Sequence, residues 1–293
     1  MLSQKLRSTC VGSKMIKYIC LSIFFCLIRV IGFAQADSSK TTLTVAAMYI
    51  SNANYYGQTT DQKFPLVLTN ATVRLPMGLY FASSIYQLIN TEGGTVVALG
   101  AGYDYSLTEK LTVGLGFNHT FFPTNSPLLQ ASNAENINAS VTYNYWLTSA
   151  LSADYAFGKE QDFFITLTNS KAFSLGSLFS DEDYISIEPG VEIVAGTQHF
   201  YDTYITKKNN KANPGGKPNV QQQPVNNGNG SIVSYVPASK FSLLSYNLKM
   251  PLAYNRSTYL IEAAYQLSIL GKQVDAVSTT PKSFFNLSFY YQF

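Results

Sequence analysis

Between Val97 and Phe121 large residues recur at every second position and small ones fill the gaps. Val97, Leu99, Ala101, Tyr103, Tyr105 and Leu107 alternate with Ala98, Gly100, Gly102, Asp104 and Ser106. After Thr108-Glu109-Lys110, Val113, Leu115, Phe117 and Phe121 alternate with Thr112, Gly114, Gly116, Asn118 and Thr120. A period of two belongs to strands with unlike faces, so the segment reads as a β-hairpin. In a soluble sandwich the large face would be buried; in a membrane barrel it would face lipid and the small polar face the lumen. One hairpin does not separate these.

The same alternation closes the chain. In Ser283 to Phe293, Phe285, Leu287, Phe289, Tyr291 and Phe293 alternate with Asn286, Ser288, Tyr290 and Gln292. An aromatic strand ending in Phe resembles the closing strand of bacterial outer-membrane β-barrels of Gram-negative, porin-like type. That resemblance implies an assembly signal, carried here by Phe289, Tyr291 and Phe293, that the barrel-assembly machinery reads.

The N-terminal region agrees with export. Lys5, Arg7, Lys14 and Lys17 precede an apolar run from Tyr18 to Leu27, continuing past Arg29 to Phe33 and meeting Ala34-Gln35-Ala36. Residues 1–36 read as a secretory signal peptide, leaving 37–293 as the mature barrel. The run before Arg29 is short for a spanning helix of about 20 residues. Cys10, Cys20 and Cys26 all fall inside the leader, so the mature chain is expected to have neither disulfides nor thiolate metal sites. The leader also holds five of the 20 Lys and Arg and none of the 17 Asp and Glu, leaving a mature charge of 15 − 17 = −2. That balance gives no support to nucleic-acid binding. At 13% charged and 14% aromatic residues, the chain is poor in charge for a soluble domain but suits strands facing lipid.

In order, strands are expected at 42–51, 65–75, 79–88, 97–107, 112–121, 137–146, 150–157, 162–170, 184–196, 239–250, 257–267 and 283–293. Pro189 cannot donate to a ladder, which predicts a bulge or late start there. Pro251 to Arg256 reads as a turn. The total is twelve strands, with 10 to 14 possible because the short link at Gly158 and the long one after Lys171 are irregular. With both termini in the periplasm, short connections near Pro76, Glu109, Thr148 and Pro251 lie on that side. The long ones at 52–64, 123–135, about 197–238 and 271–282 lie outside. The connection at 197–238 is rich in Asn, Gly, Pro, Gln and Lys and is expected to be mobile. Its Lys207, Lys208, Lys211 and Lys217 could meet anionic lipopolysaccharide.

By strand parity the inward charges are Arg74, Asp104, Asp154, Glu188, Glu192, Lys249 and Glu262, expected near the periplasmic turns, with Gly, Ser, Thr and Asn filling the outer lumen. They would form a structural ion-pair and hydrogen-bond network, or a constriction selecting solutes by charge. Five acids against two bases predict mild cation preference if a pore exists. His119 and His199 fall in no hydrolase-like motif, and no catalytic, cofactor-binding or metal-binding residues are assigned. Tyr103, Tyr105, Tyr145, Trp146, Phe157, Tyr291 and Phe293 are expected in the girdles at the head groups.

The reading is an all-β, antiparallel up-and-down transmembrane barrel without cofactor, in contact with outer-membrane lipids. Its expected role is passive passage of small solutes. The alternatives are a non-conducting structural or surface-interaction barrel and, behind it, a barrel-embedded hydrolase; a soluble β-sandwich is the rival architecture.

Overall fold

The computed structural model describes residues 40–60, 62–89, 94–124, 126–199, 241–271 and 280–293. The leader expected at 1–36 and nearly all of the connection expected at 197–238 lie outside these residues, as do its four lysines. Fourteen strand segments follow in order. They are β1 (Thr42–Ile50), β2 (Leu66–Arg74), β3 (Leu79–Leu88), β4 (Thr95–Ser106), β5 (Leu111–Phe121), β6 (Glu135–Asn144) and β7 (Thr148–Phe157). Next come β8 (Gln161–Ser170), β9 (Phe173–Gly176), β10 (Asp183–Ile187), β11 (Gly190–Gly196), β12 (Ser242–Arg256), β13 (Tyr259–Leu270) and β14 (Lys282–Gln292).

Every pairing is antiparallel, and the sheet closes on itself. β1 pairs with β2 on one side and with β14 on the other, where Val45 faces Tyr291 and Ile50 faces Asn286. β11 pairs with both β8 and β12. β8 and β9 lie end to end, as do β11 and β10: Gly190 faces Ser170, and Ile187 faces Phe173 in the same register. The fourteen segments therefore build twelve staves of one closed barrel, an even number as in other single-chain barrels.

The two prolines modify the expected strands differently. Pro189 interrupts its stave without an inserted residue, because Gly190 faces Lys249 and Ile187 faces Leu252 in unbroken register. Of the expected bulge or late start the second holds: the ladder breaks at Pro189 and β11 begins directly after it, at Gly190. Pro251, expected in a turn, sits within the 15-residue β12 opposite Ala264. The backbone N–H of Glu188 reaches its carbonyl at 3.1 Å, so the strand runs on to Arg256. A strand can carry a proline where the missing donor faces another gap, and here Pro189 lies alongside.

The large alternating residues point away from the lumen. Val45, Tyr49, Phe81, Ile85, Leu99, Leu115, Phe117, Leu151, Leu167, Leu248, Ile261, Leu287 and Phe289 are all exposed. Such a belt around a closed barrel fits hydrocarbon and would be costly in water, which excludes the sandwich reading: its apolar faces would be buried. Gly78, at φ +94°, makes the β2–β3 turn, where a side chain would overlap the Asp104 carbonyl. One rim of the barrel thus carries Thr42, Phe293 and the tight turns at 75–78, 107–110, 145–147 and 257–258. The other carries the longer connections together with the short link 158–160, while the connection 177–182 between β9 and β10 lies on the turn rim.

Candidate functional site

At the turn rim the inward residues sort into small groups rather than one network. Arg74 Nη1 meets Asp104 Oδ2 at 2.7 Å, and its guanidinium lies 5.0 Å from the Tyr80 ring centroid. Tyr80 lies across the inward glycines of β4 and β5: side chains at Gly102 or Gly116 would meet its hydroxyl. Lys249 Nζ meets Glu192 Oε2 at 2.6 Å, and Asn247 donates to the other oxygen of Glu192 at 2.8 Å. Glu188 accepts from Ser170 at 2.7 Å and shares a cavity wall with Glu262. Asp154, Glu188 and Glu262 have no ion-pair partner among the described residues.

Asp154 departs from the expected placement, because it faces the loop-rim half of the lumen rather than the turns. It accepts from Asn138 at 2.9 Å, and Asn136 and the hydroxyl of Tyr56 lie beside it. Tyr56 belongs to the connection 51–65, expected as an external polar loop. The connection instead folds into the barrel. Tyr55 and Gln58 exchange backbone bonds at 2.8 and 3.0 Å around a two-residue turn with positive φ at both Tyr56 (52°) and Gly57 (82°). Two left-handed residues in succession are the pattern of a tight hairpin turn, in which asparagine and glycine are usual and an aromatic residue is strained.

Three contacts hold that strained tip. The Tyr56 ring stacks on Phe164 of β8 at 4.0 Å, Ser245 of β12 donates to the Tyr56 carbonyl at 2.8 Å, and the Tyr56 hydroxyl reaches Asp154 of β7. β8 stands six staves from β2 in a ring of twelve, so the tip touches the wall opposite its own root. It packs there on Leu129, Ala156, Phe164, Val194 and Leu244. Leu244 and Ser245 both face inward because the β11–β12 register shifts beside them. Near the root, Asn52 Oδ1 accepts the Phe64 N–H at 2.7 Å. Phe64 joins Leu66, Leu68, Leu88, Val96 and Leu128 in a second apolar cluster inside the loop rim. The outer lumen is therefore not chiefly Gly, Ser, Thr and Asn, as parity alone had it.

Beside the tip lies a cavity of about 400 Å3, walled by Asn54, Tyr86, Asn118, Gln130, Asn136 and Asp154 among others. Above it, Asp162 is fully buried and accepts from Asn133 (2.9 Å), Thr197 (2.7 Å) and both the backbone and ring nitrogens of His199 (2.9 and 3.1 Å). That carboxylate pins the start of the long connection to the β5–β6 link. His119 faces outward, 3.2 Å from Glu135 and edge-on to Phe121. Of these, Tyr56, Asp162 and the folded-in loop were not read from the sequence. Their one signal was Tyr55-Tyr56-Gly57, an aromatic pair before glycine in an otherwise polar loop.

No protein-family model matches the chain, and no curated protein matches its sequence. Among solved structures it is similar to the KdgM porin (TM-score 0.48, 10% identity, covering 85% of this chain and 99% of that one). It is also similar to LpxR from Salmonella typhimurium (TM-score 0.46, 8% identity, 85% and 99%). A third is the COG4313 outer membrane channel from Pseudomonas putida F1 (TM-score 0.44, 11% identity, 89% and 98%). The barrel itself is established by its own strand pairing and outward belt.

At the turn rim, β9 and β10 reach past the neighbouring turn at 145–147. The carboxylate of Asp183 gathers the N–H groups of Leu178 (2.8 Å), Phe179 (3.1 Å) and Ser180 (3.0 Å), and Tyr254 donates to it at 3.1 Å. These bonds, Leu178 foremost, hold the Asp183 carboxyl below its ordinary range. Lys110 lies 4.7 Å over Tyr145, and Lys171 5.5 Å over Trp146, an arrangement suited to head-group depth.

Proposed function

We propose that this chain is a barrel of the bacterial outer membrane, exported through the Sec route with its turn rim toward the periplasm, and that it passes small solutes through a lumen narrowed by the loop 51–65. One observation carries the reading: the loop tip is pinned to the opposite wall, yet a polar cavity of about 400 Å3 remains beside it. A passive route needs a wall that water and solutes can wet, and amides and hydroxyls provide one. Lipids, lipopolysaccharide and the barrel-assembly machinery are its partners in this reading. No catalytic step is assigned, because Asp162 is occupied in tying loops together and His119 points toward lipid.

Single-channel recording in planar bilayers tests this. The wild-type barrel gives small discrete steps, and replacing residues 53–63 by a short Gly/Ser turn enlarges them. A folded barrel that stays silent both with and without the loop rules the channel out. A second reading, a closed barrel with a structural or surface role, is favoured by the cluster of Leu66, Leu68, Leu88, Val96 and Leu128 that fills part of the loop rim. In that case only the loop-replaced protein conducts.

A further inference from the structure

We propose that the cavity beside the Tyr56 tip binds an uncharged, polyhydroxylated solute of the sugar class. The inference rests on the channel reading above and names what the channel selects. A volume of about 400 Å3 lies in the range of small-molecule sites, about 300–1,000 Å3. The ligand class follows from the side chains. Asn54, Asn118, Gln130 and Asn136 come from the loop, β5, the β5–β6 link and β6, and converge on one space. Each carboxamide offers a donor and an acceptor side by side, the pairing that adjacent hydroxyls require.

Asn133 adds an independent sign of an absent partner. It lines the same cavity and is only 6% exposed. Its Nδ2 is bonded to Asp162, while its Oδ1 has no hydrogen-bond partner among the described residues. A buried acceptor left unmet is costly, and this one sits in the cavity wall, where a small side-chain shift would bring it to a solute hydroxyl. Tyr86 and Phe122 supply apolar ring surface for the C–H face of a sugar.

Charge excludes the rival classes. Among the described residues no Lys or Arg lines the cavity, so an acidic sugar would bring its carboxylate beside Asp154 with no described cation to neutralise it. Asp154 is a single carboxylate, already accepting from Asn138 and flanked by Tyr56 and Asn136, so it adds a mild preference for cations in transit rather than a closed site for one.

The test is isothermal titration of the folded, full-length barrel in detergent with maltose, galacturonate and tetraethylammonium chloride, alongside bilayer recording with the same solutes. Maltose is expected to bind and reduce the single-channel current, with galacturonate and tetraethylammonium at least about tenfold weaker. Asn118→Leu, which leaves the Asp154 contacts intact, is expected to weaken maltose by roughly tenfold, as the loss of a paired amide predicts. Asn136→Leu should act in the same direction, and heat-modifiable gel migration verifies that each variant is folded. Tighter binding of galacturonate or tetraethylammonium than of maltose overturns the proposal, as does maltose binding unchanged in both folded variants. Channel steps with no maltose heat and no block sink the sugar site and leave the channel standing. Maltose heat without any conductance does the reverse.

Discussion

Tyr56 occupies the left-handed region at a cost of about 1–2 kcal/mol for a residue with a side chain. It stays there because Phe164, Ser245 and Asp154 engage its ring, carbonyl and hydroxyl together. Phe164 is the fully buried partner. Phe164→Ala is expected to destabilise the barrel by about 3–5 kcal/mol, the cost of an emptied aromatic site, with a lower midpoint in urea unfolding and a larger channel conductance. An unchanged conductance would mean that the tip does not need the stack. A second prediction concerns Lys249, whose ammonium neutralises Glu192. Lys249→Met leaves that carboxylate in the lumen with Asn247 as its hydrogen-bond donor, so the reversal potential in a salt gradient should move further toward cations. A shift toward anions would show that Glu192 does not face the permeation path. Parity was enough to place Lys249 and Glu192 on one face, since alternation fixes the direction of every side chain in a regular strand. It could not pair them across staves, because pairing depends on register. Asp162 escaped notice for a related reason: its donors come from two separate connections, the β5–β6 link and the start of the one after β11, which no local pattern joins.

Strands and loops differed sharply in legibility. Alternation located the twelve staves, most of them to within a few residues, but it ended β12 six residues early by reading 251–256 as a turn and passed over β9; a stave relies on its neighbours for its backbone bonds, so its facing pattern is regular. The loop 51–65 was misplaced because a polar segment can satisfy itself in water or against a polar lumen, and composition does not choose. The β9–β10 extension was marked only by its awkward length. Its turn is held by Asp183, whose carboxyl lies below its ordinary range because backbone N–H groups favour the ionised form. The sign follows: stability from this contact is present above the unfolded carboxylate value of about 3.9 and is lost as pH falls through the lowered native value. Hydrogen exchange of the amides of Leu178, Phe179 and Ser180, corrected for intrinsic rates, should therefore show protection at neutral pH that disappears in strong acid. In Asp183→Ala the same amides should be unprotected at every pH while the β4–β5 amides stay protected. Equal protection in wild type and variant would count against the carboxylate as the cause.

For the molecule as a whole, two salt bridges account for four of the seven inward charges predicted from sequence, Arg74 with Asp104 and Lys249 with Glu192. Asp154, Glu188 and Glu262 are left over, all acidic. An open lumen should therefore prefer cations mildly, and reversal potentials that favour chloride over potassium would contradict this. The closed hydrogen-bonded ring should also migrate differently on gels before and after boiling. The loop that narrows the ring has a consequence in time as well as in space. Its root lies between the first two staves, but Ser245, which holds its tip, is 189 residues further along. Contacts so remote form late, since the intervening chain must first be brought together. The sheet is thus built before its constriction is fixed: a chain halted before β12 would lack the Ser245 hold on the loop tip, and closure of the β1–β14 seam would come with the obstruction already enclosed.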